Sequence, residues 1–266
     1  MVKHYSNFNI QKRHKGSIIL VGNFDGLHLG HKKLFQLAQS YKKKYNLKIG
    51  VVNFDPMPKM FFNQKLKNYR LSNINQKIKL LSELKVDFVI TKKFDKKFSK
   101  TKAVNFIKEI VYKKLNSKFI FVSNNFRFGN KREGDVNLLI NYEKLFNFKV
   151  IKPEPLIKSK KIVSSSLIRS LLEKGFLDKA NNLLNRNWTI QGIVKKGRQI
   201  GKKIGFPTCN IDIQDYVLAK PGVYAVRVLR KNSARYLKGI ANLGYRPTFN
   251  QKKILLEVHL FNFSGN

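Results

Sequence analysis

Residues 17–31 read SIILVGNFDGLHLGH, and this stretch decides the fold. Its first five residues form a short apolar run that stops at Gly22, after which Leu34, Leu37, Ala38 and Tyr41 recur at helical spacing. An unbroken apolar run suits a strand covered on both faces, and spacing of three and four suits a helix laid against it. The reading is strand, loop, helix. Outward from it the pattern repeats: strand over 47–54, helix over 75–85, strand over 86–90, helix over 103–115 and strand over 118–123. Alternation of this kind implies right-handed crossovers and a parallel sheet, an α/β architecture.

The texture changes at Trp188. TIQGIV, GVYAVRVLR, YLKGIANLG and ILLEVHLFNF are short runs separated by Gly and Pro turns without helical period, which predicts a small antiparallel β domain. The boundary falls near Arg186, giving domains over 1–185 and 186–266. No repeat of fixed period and no low-complexity linker occurs.

A chain of 266 residues has room for one large or two small domains. Its 42% hydrophobic and 12% aromatic content excludes a disordered chain. Fifty-four bases against 15 acids give +39, carried mostly by lysine. A cationic RNA-binding protein is therefore one class of reading. These lysines, however, occur in every segment rather than in one patch, so the expectation is no specific nucleic-acid partner and a field that favours small anionic substrates such as nucleotides. Cys209 is the single cysteine, which excludes an internal disulfide framework and fits a reducing cytoplasm. Residues 1–15 hold no apolar core of signal-peptide length, and no run approaches the ~18 apolar residues of a membrane span, so no membrane partner is expected.

The densest motif is residues 22–31, GNFDGLHLGH. After a parallel strand this loop lies at the carboxyl edge of the sheet, where ligands bind. His28 and His31, three apart around Gly30, can face one point at a helix N-terminus, where free N–H groups and the dipole favour phosphate. A polar turn or a chance metal pair stays open as the alternative. In the β domain no G-x-x-x-x-G-K-[ST] loop occurs, so phosphate binding there must be built otherwise.

His-x-Gly-His after a strand, with Gly-x-Phe-Asp-Gly before it, resembles the nucleotidyltransferase superfamily that transfers adenylyl or cytidylyl groups. Further motifs narrow the resemblance: NFDPMP at 53–58, NFRFGNKREGD at 125–135, VSSSLIR at 163–169, GFPTCN at 205–210, GVYA at 222–225, GIANLGYRPTF at 239–249 and LEVHL at 256–260. In this order they look like the bacterial bifunctional riboflavin kinase and FAD synthetase family, over nearly the whole chain.

The resemblance implies a Rossmann-like N-terminal domain that adenylylates FMN with ATP to FAD and pyrophosphate, and a C-terminal antiparallel β-barrel that phosphorylates riboflavin to FMN. It implies ATP, Mg²⁺, riboflavin, FMN and FAD as substrates, products or ions. By resemblance His28, His31 and Arg169 act in adenylyl transfer, with Gly22, Phe24, Asp25, Gly30, Ser165 and Ser166 on the ATP phosphates and Asp55 and Asn125 toward FMN. A simple turn role stays open for Asp55 and Asn125, and a solvent-facing one for Arg169. In the kinase half, Thr208 and Asn210 are implied as Mg²⁺ ligands, Gly197 and Arg198 as phosphate contacts and Glu257 as general base. An exposed strand position is the alternative for Glu257, and a structural one for His259. The family pattern carries Thr where this chain has Asn53 and His where it has Met57, and an Asp usually precedes the Phe at Asn125. Its chain also runs past the LEVHL segment into a further strand and a closing helix. The resemblance therefore leads to the expectation of a truncated barrel, an unpaired strand edge at ILLEVHLFNF and a weak kinase half. A transferase of the same superfamily for another acceptor, with the β domain only binding, is the alternative enzyme reading.

Overall fold

The apolar run becomes a strand, Ile18–Val21, with all four residues buried. The computed structural model describes residues 2–195, 205–213, 215–231, 233–248 and 251–263. They fall into two units that interleave along the chain: Met1–Leu66, Ile74–Ile168 and Leu183–Arg186 form the first, and Lys67–Asn73, Arg169–Asn182 and Asn187–Asn266 the second.

In the first unit, among the described residues, six strands make one sheet: β1 (Lys3–Tyr5), β2 (Ile18–Val21), β3 (Ile49–Asp55), β4 (Phe88–Lys93), β5 (Phe119–Phe121) and β6 (Lys149–Ile151). Their order is β1-β4-β3-β2-β5-β6 with every neighbouring pair parallel. Alternate residues of β2 serve opposite faces. Ile18 and Leu20 join Phe35 and Ala38 of helix α1 (Leu29–Tyr45) in one core cluster. Ile19 and Val21 join Ile107 and Ile110 in the other. Burying each such side chain contributes about 1.5–3 kcal/mol, which is why the strand must read as a continuous apolar run. Helix α1 ends where Asn46 turns left-handed at φ 50° and donates its N–H to the Lys42 carbonyl. Lys42, Lys43 and Lys44 in its last turn favour the negative end of the helix dipole.

From β2 the chain steps through β3 and β4 to one side, while β5 and β6 lie on the other. The carboxyl end of β2 is thus the point where strand order reverses, the place where open parallel sheets bind their ligands. Two expected elements differ in detail. The strand expected over 86–90 runs Phe88–Lys93, because Lys85 turns at φ 55° after helix α2 (Ile74–Glu83). The helix expected over 103–115 is an α-turn, Ala103–Asn105, passing into a π-helix over Phe106–Lys114. Helices α3 (Ser165–Glu173) and α4 (Leu177–Leu184) follow.

In the second unit β7 (Val194–Lys195), β8 (Thr208–Ile211), β9 (Gly222–Leu229), β10 (Tyr236–Thr248) and β11 (Gln251–Leu260) form an antiparallel sheet in the order β7-β8-β11-β10-β9. The unpaired edge expected at ILLEVHLFNF is corrected. Strand β11 pairs with β10 on one side and with β8 on the other, so among the described residues the edges are β7 and β9. Residues 67–73 belong to this unit through backbone pairing: Arg70 N–H donates to Asp215 O (2.8 Å), and Val217 N–H donates to Arg70 O (2.8 Å). The Trp188 indole donates to Leu71 O at 3.0 Å.

Candidate active site

The loop leaving β2 is wound tightly. Phe24, Gly26 and Leu27 all have positive φ, at 46°, 77° and 39°. Such backbone is costly for non-glycine residues and persists only where its surroundings fix it. Here Phe24 and Leu27 are buried, and the Phe24 ring lies edge-on to His31 (5.2 Å) and Phe35 (5.3 Å). A Cβ on Gly22 would come within 3.1 Å of that ring. Side chains from outside the loop hold its carbonyls. Ser165 Oγ donates to Asp25 O at 2.8 Å, and Arg186 Nη2 donates to Gly26 O at 2.7 Å.

His28 caps helix α1, its Nδ1 accepting the His31 backbone N–H at 3.4 Å. That acceptor role leaves the ring proton on Nε2. The His28 and His31 rings stack with centroids 3.7 Å apart and planes 20° from parallel. Gly30 makes this packing possible, since a Cβ there would meet Val163 O at 3.0 Å and the His28 ring at 3.2 Å. His31 Nδ1 is buried without a hydrogen-bond partner among the described residues. Burial first, then the charges of His28 and Lys77, push the His31 pKa well below the ordinary histidine range. The imidazole is neutral near pH 7, so His31 offers a ring donor at a helix N-terminus without itself carrying a buried positive charge.

The other expected residues are distributed unevenly. Ser166 is exposed, and the cap of α3 comes instead from Ser164, whose Oγ accepts the Leu167 N–H at 3.2 Å. Asp55 ends β3, its carbonyl accepting from Phe94 N–H at 3.0 Å. Asn125 is exposed and takes a hydrogen bond from Ser123 Oγ at 2.9 Å. Met57 is buried, and Asn53, fully buried, donates from Nδ2 to Ile90 O at 3.2 Å. Arg169 falls in the second unit, where it is buried with Nε 2.6 Å from Tyr69 O and its guanidinium 3.6 Å above the Tyr69 ring.

Also in the second unit, Asn210 stands opposite Glu257, and Glu257 opposite Asn242. Thr208 and His259 form the next pair on the same face. Asn210 Oδ1 is buried without a partner among the described residues, while Thr208 is exposed and Glu257 half-buried. His259 Nδ1 lies 2.8 Å from Pro207 O, so that nitrogen carries the proton and ties the GFPT segment to β11. Gly197 and Arg198 lie outside the described residues.

Two residues escaped the sequence reading. Lys77 is buried on α2 at a core position, three residues after Ile74 and four before Leu81. A lysine on an apolar stripe was the available signal. Arg186 carried no local signal, because its partner Gly26 is 160 residues away.

A family model described as FAD synthetase matches residues 10–167, and one described as riboflavin kinase matches 184–266. A bifunctional riboflavin kinase/FMN adenylyltransferase from Buchnera aphidicola subsp. Schizaphis graminum is 40% identical over 261 residues, 97% of this chain and 83% of that protein. The chain belongs to this family. The Escherichia coli K12 protein of the same description is 36% identical over 252 residues, 95% of this chain and 80% of the relative. The shared fold extends to a crystal structure described as a macrolide-efflux protein from Streptococcus pneumoniae, with a TM-score of 0.83 at 26% identity over all of this chain and 86% of the other. Among the described residues no helix is long and apolar enough to cross a membrane.

Proposed function

We propose that this chain converts riboflavin to FAD in two ATP-dependent steps, phosphorylating riboflavin to FMN in residues 186–266 and adenylylating FMN in residues 1–185. The observation that carries the reading is the pair of family matches in tandem on one chain. In the second step an FMN phosphate oxygen bonds to the α-phosphorus of ATP as the bond to the bridging oxygen of pyrophosphate breaks. Charge grows on the equatorial oxygens and the leaving group, and positioned donors stabilise it. His28 donates from Nε2 and His31 as a neutral imidazole, on a loop shaped by Gly22, Phe24, Asp25 and Gly30. Ser165 and Ser166 serve the phosphates, Arg169 adds a planar fork of donors, and Asp55 and Asn125 face the flavin nucleotide. Buried Met57 takes no part in proton transfer.

In the kinase step Glu257 accepts the proton of the ribityl hydroxyl as it attacks the γ-phosphorus of ATP, with ADP leaving. Gly197 and Arg198 are assigned by the same reading to phosphate binding. Thr208 and Asn210 fit a Mg²⁺ site, since the buried Asn210 Oδ1 is a hard oxygen donor lacking a protein partner among the described residues. Bound there, Mg²⁺ supplies neutralisation of the phosphate charge. We further assign the protein to the cytoplasm, with small nucleotides and flavins rather than nucleic acid as partners. Any RNA binding is then weak, sequence-blind and abolished by roughly 200 mM salt.

The test supplies riboflavin, ATP and Mg²⁺ and follows the flavins chromatographically. FMN should form and then give way to FAD with release of pyrophosphate. FMN as the final product, or no turnover of supplied FMN, would remove the adenylyl-transfer half of the reading.

A further inference from the structure

Arg186 is the last residue of the first unit, and the chain enters the second unit at Asn187. Its guanidinium reaches back into the loop after β2. Nη2 donates to Gly26 O at 2.7 Å and Nη1 to Leu184 O at 3.2 Å. Gly26, itself at positive φ, stands between positive-φ Phe24 and Leu27 and two positions before His28, so a hold on its carbonyl acts on the wound part of the loop. Three elements converge on the arginine by charge: Asp25 of the loop and Glu83 at the end of α2 attract it, and Lys32 in the first turn of α1 is repelled. Burial pulls the guanidinium below its ordinary range, with Glu83 and Asp25 opposing the shift. It remains cationic at any working pH. A planar, permanently charged fork suits this place, because one group can satisfy two carbonyls and answer two carboxylates without changing protonation.

We propose that Arg186 is a positioning residue for adenylyl transfer, clamping the Gly26 carbonyl so that the His28 and His31 rings keep their stacked placement at the head of α1. This rests on the adenylyl-transfer reading above. The arginine acts through the loop backbone and not on the reacting atoms. A loop displaced by a fraction of an ångström to an ångström lowers the rate far more than it lowers binding, since the donors act on charge that develops in the transition state.

The test uses the full chain with Arg186→Ala and Arg186→Lys. In Arg186→Ala the kcat for FAD formation should fall roughly 10- to 100-fold with the KM for FMN little changed. Millimolar guanidinium should restore part of the loss, and ammonium none. Arg186→Lys should fall between, its point charge lacking the fork. Hydrogen exchange of the amides at 22–31 should quicken in both variants. That readout needs no turnover, so it tests the clamp even where wild-type chain makes no FAD and the functional reading itself has failed. Wild-type kcat in Arg186→Ala, loop exchange no faster than wild type, or a loss of activity in both variants that follows melting temperature and resists guanidinium would each overturn the proposal.

Discussion

The two sheets of this protein solve burial in different ways. Strand β2 is buried at every position, whereas β9 alternates half-buried and exposed residues over its eight positions. A parallel sheet with helical crossovers is covered on both faces, while an antiparallel sheet can leave one face to solvent. Val223, Leu229 and Ile240 accordingly remain exposed on the second sheet, while Ala241, Leu243, Leu256 and Val258 fill its other face. The candidate sites follow the same division. In the first unit the candidate histidines sit in a loop beyond a strand end, held by side chains far away in sequence. In the second the candidate residues Asn210 and Glu257 sit on the strands themselves, aligned by register with Asn242.

If each sheet carries its own reaction, substitutions should separate them. Glu257→Gln should lower riboflavin phosphorylation by roughly 10²- to 10⁴-fold and leave adenylylation of supplied FMN intact. His28→Ala and His31→Ala should each lower FAD formation by roughly 10²-fold or more and spare FMN formation. Loss of both activities in either set, measured with folding checked by circular dichroism, would break the comparison. For burial, Leu20→Ala should cost about 2–5 kcal/mol in denaturant unfolding, while Val223→Ala on the open face should stay within about 0.5 kcal/mol. Gly30→Ala should cost about 1–3 kcal/mol through its contacts with Val163 O and the His28 ring, and the same variant should slow FAD formation. The smallest effect is in pH. His31, His14 and His4 all have folded pKa values below the ordinary 6.5, so the unfolded chain takes up protons first as pH falls. Their contribution to stability is complete above that value and drains away below it. Thermal melting should therefore decline from pH 7.5 toward 5.5, and less steeply in His31→Gln.

Much of this was legible in the sequence because it is local. The run 18–21, the break at Gly22 and the spacing through Tyr41 fix strand, loop and helix within 25 residues. The short runs between Gly and Pro turns after Trp188, GVYAVRVLR among them, likewise announce antiparallel strands. What was not legible depends on pairing at a distance. Residues 67–73 carry no strand pattern and join the second unit through partners distant in sequence: the backbone of 213–217, the Trp188 indole and Arg169. The edge at 254–263 was expected because the family chain runs on past this segment, and nothing local tells that Thr208–Ile211 returns to flank it. The winding of Phe106–Lys114 was hidden as well, since Phe106, Ile107, Ile110 and Val111 are buried in a pattern that an ordinary helix would also produce.

The stacked histidines have a consequence for proton traffic. Two imidazoles 3.7 Å apart cannot both become cations cheaply, and burial already suppresses charge on His31. His31 thus waits as a neutral imidazole. A polyphosphate arriving beside it reverses the local potential and raises the affinity of the rings for hydrogen ions. Docking of ATP should then draw a fraction of a proton from the medium, more at pH 6.5 than at pH 8. Titration calorimetry in two buffers of different ionisation enthalpy reads that uptake directly, as a difference in apparent heat that His31→Ala should shrink.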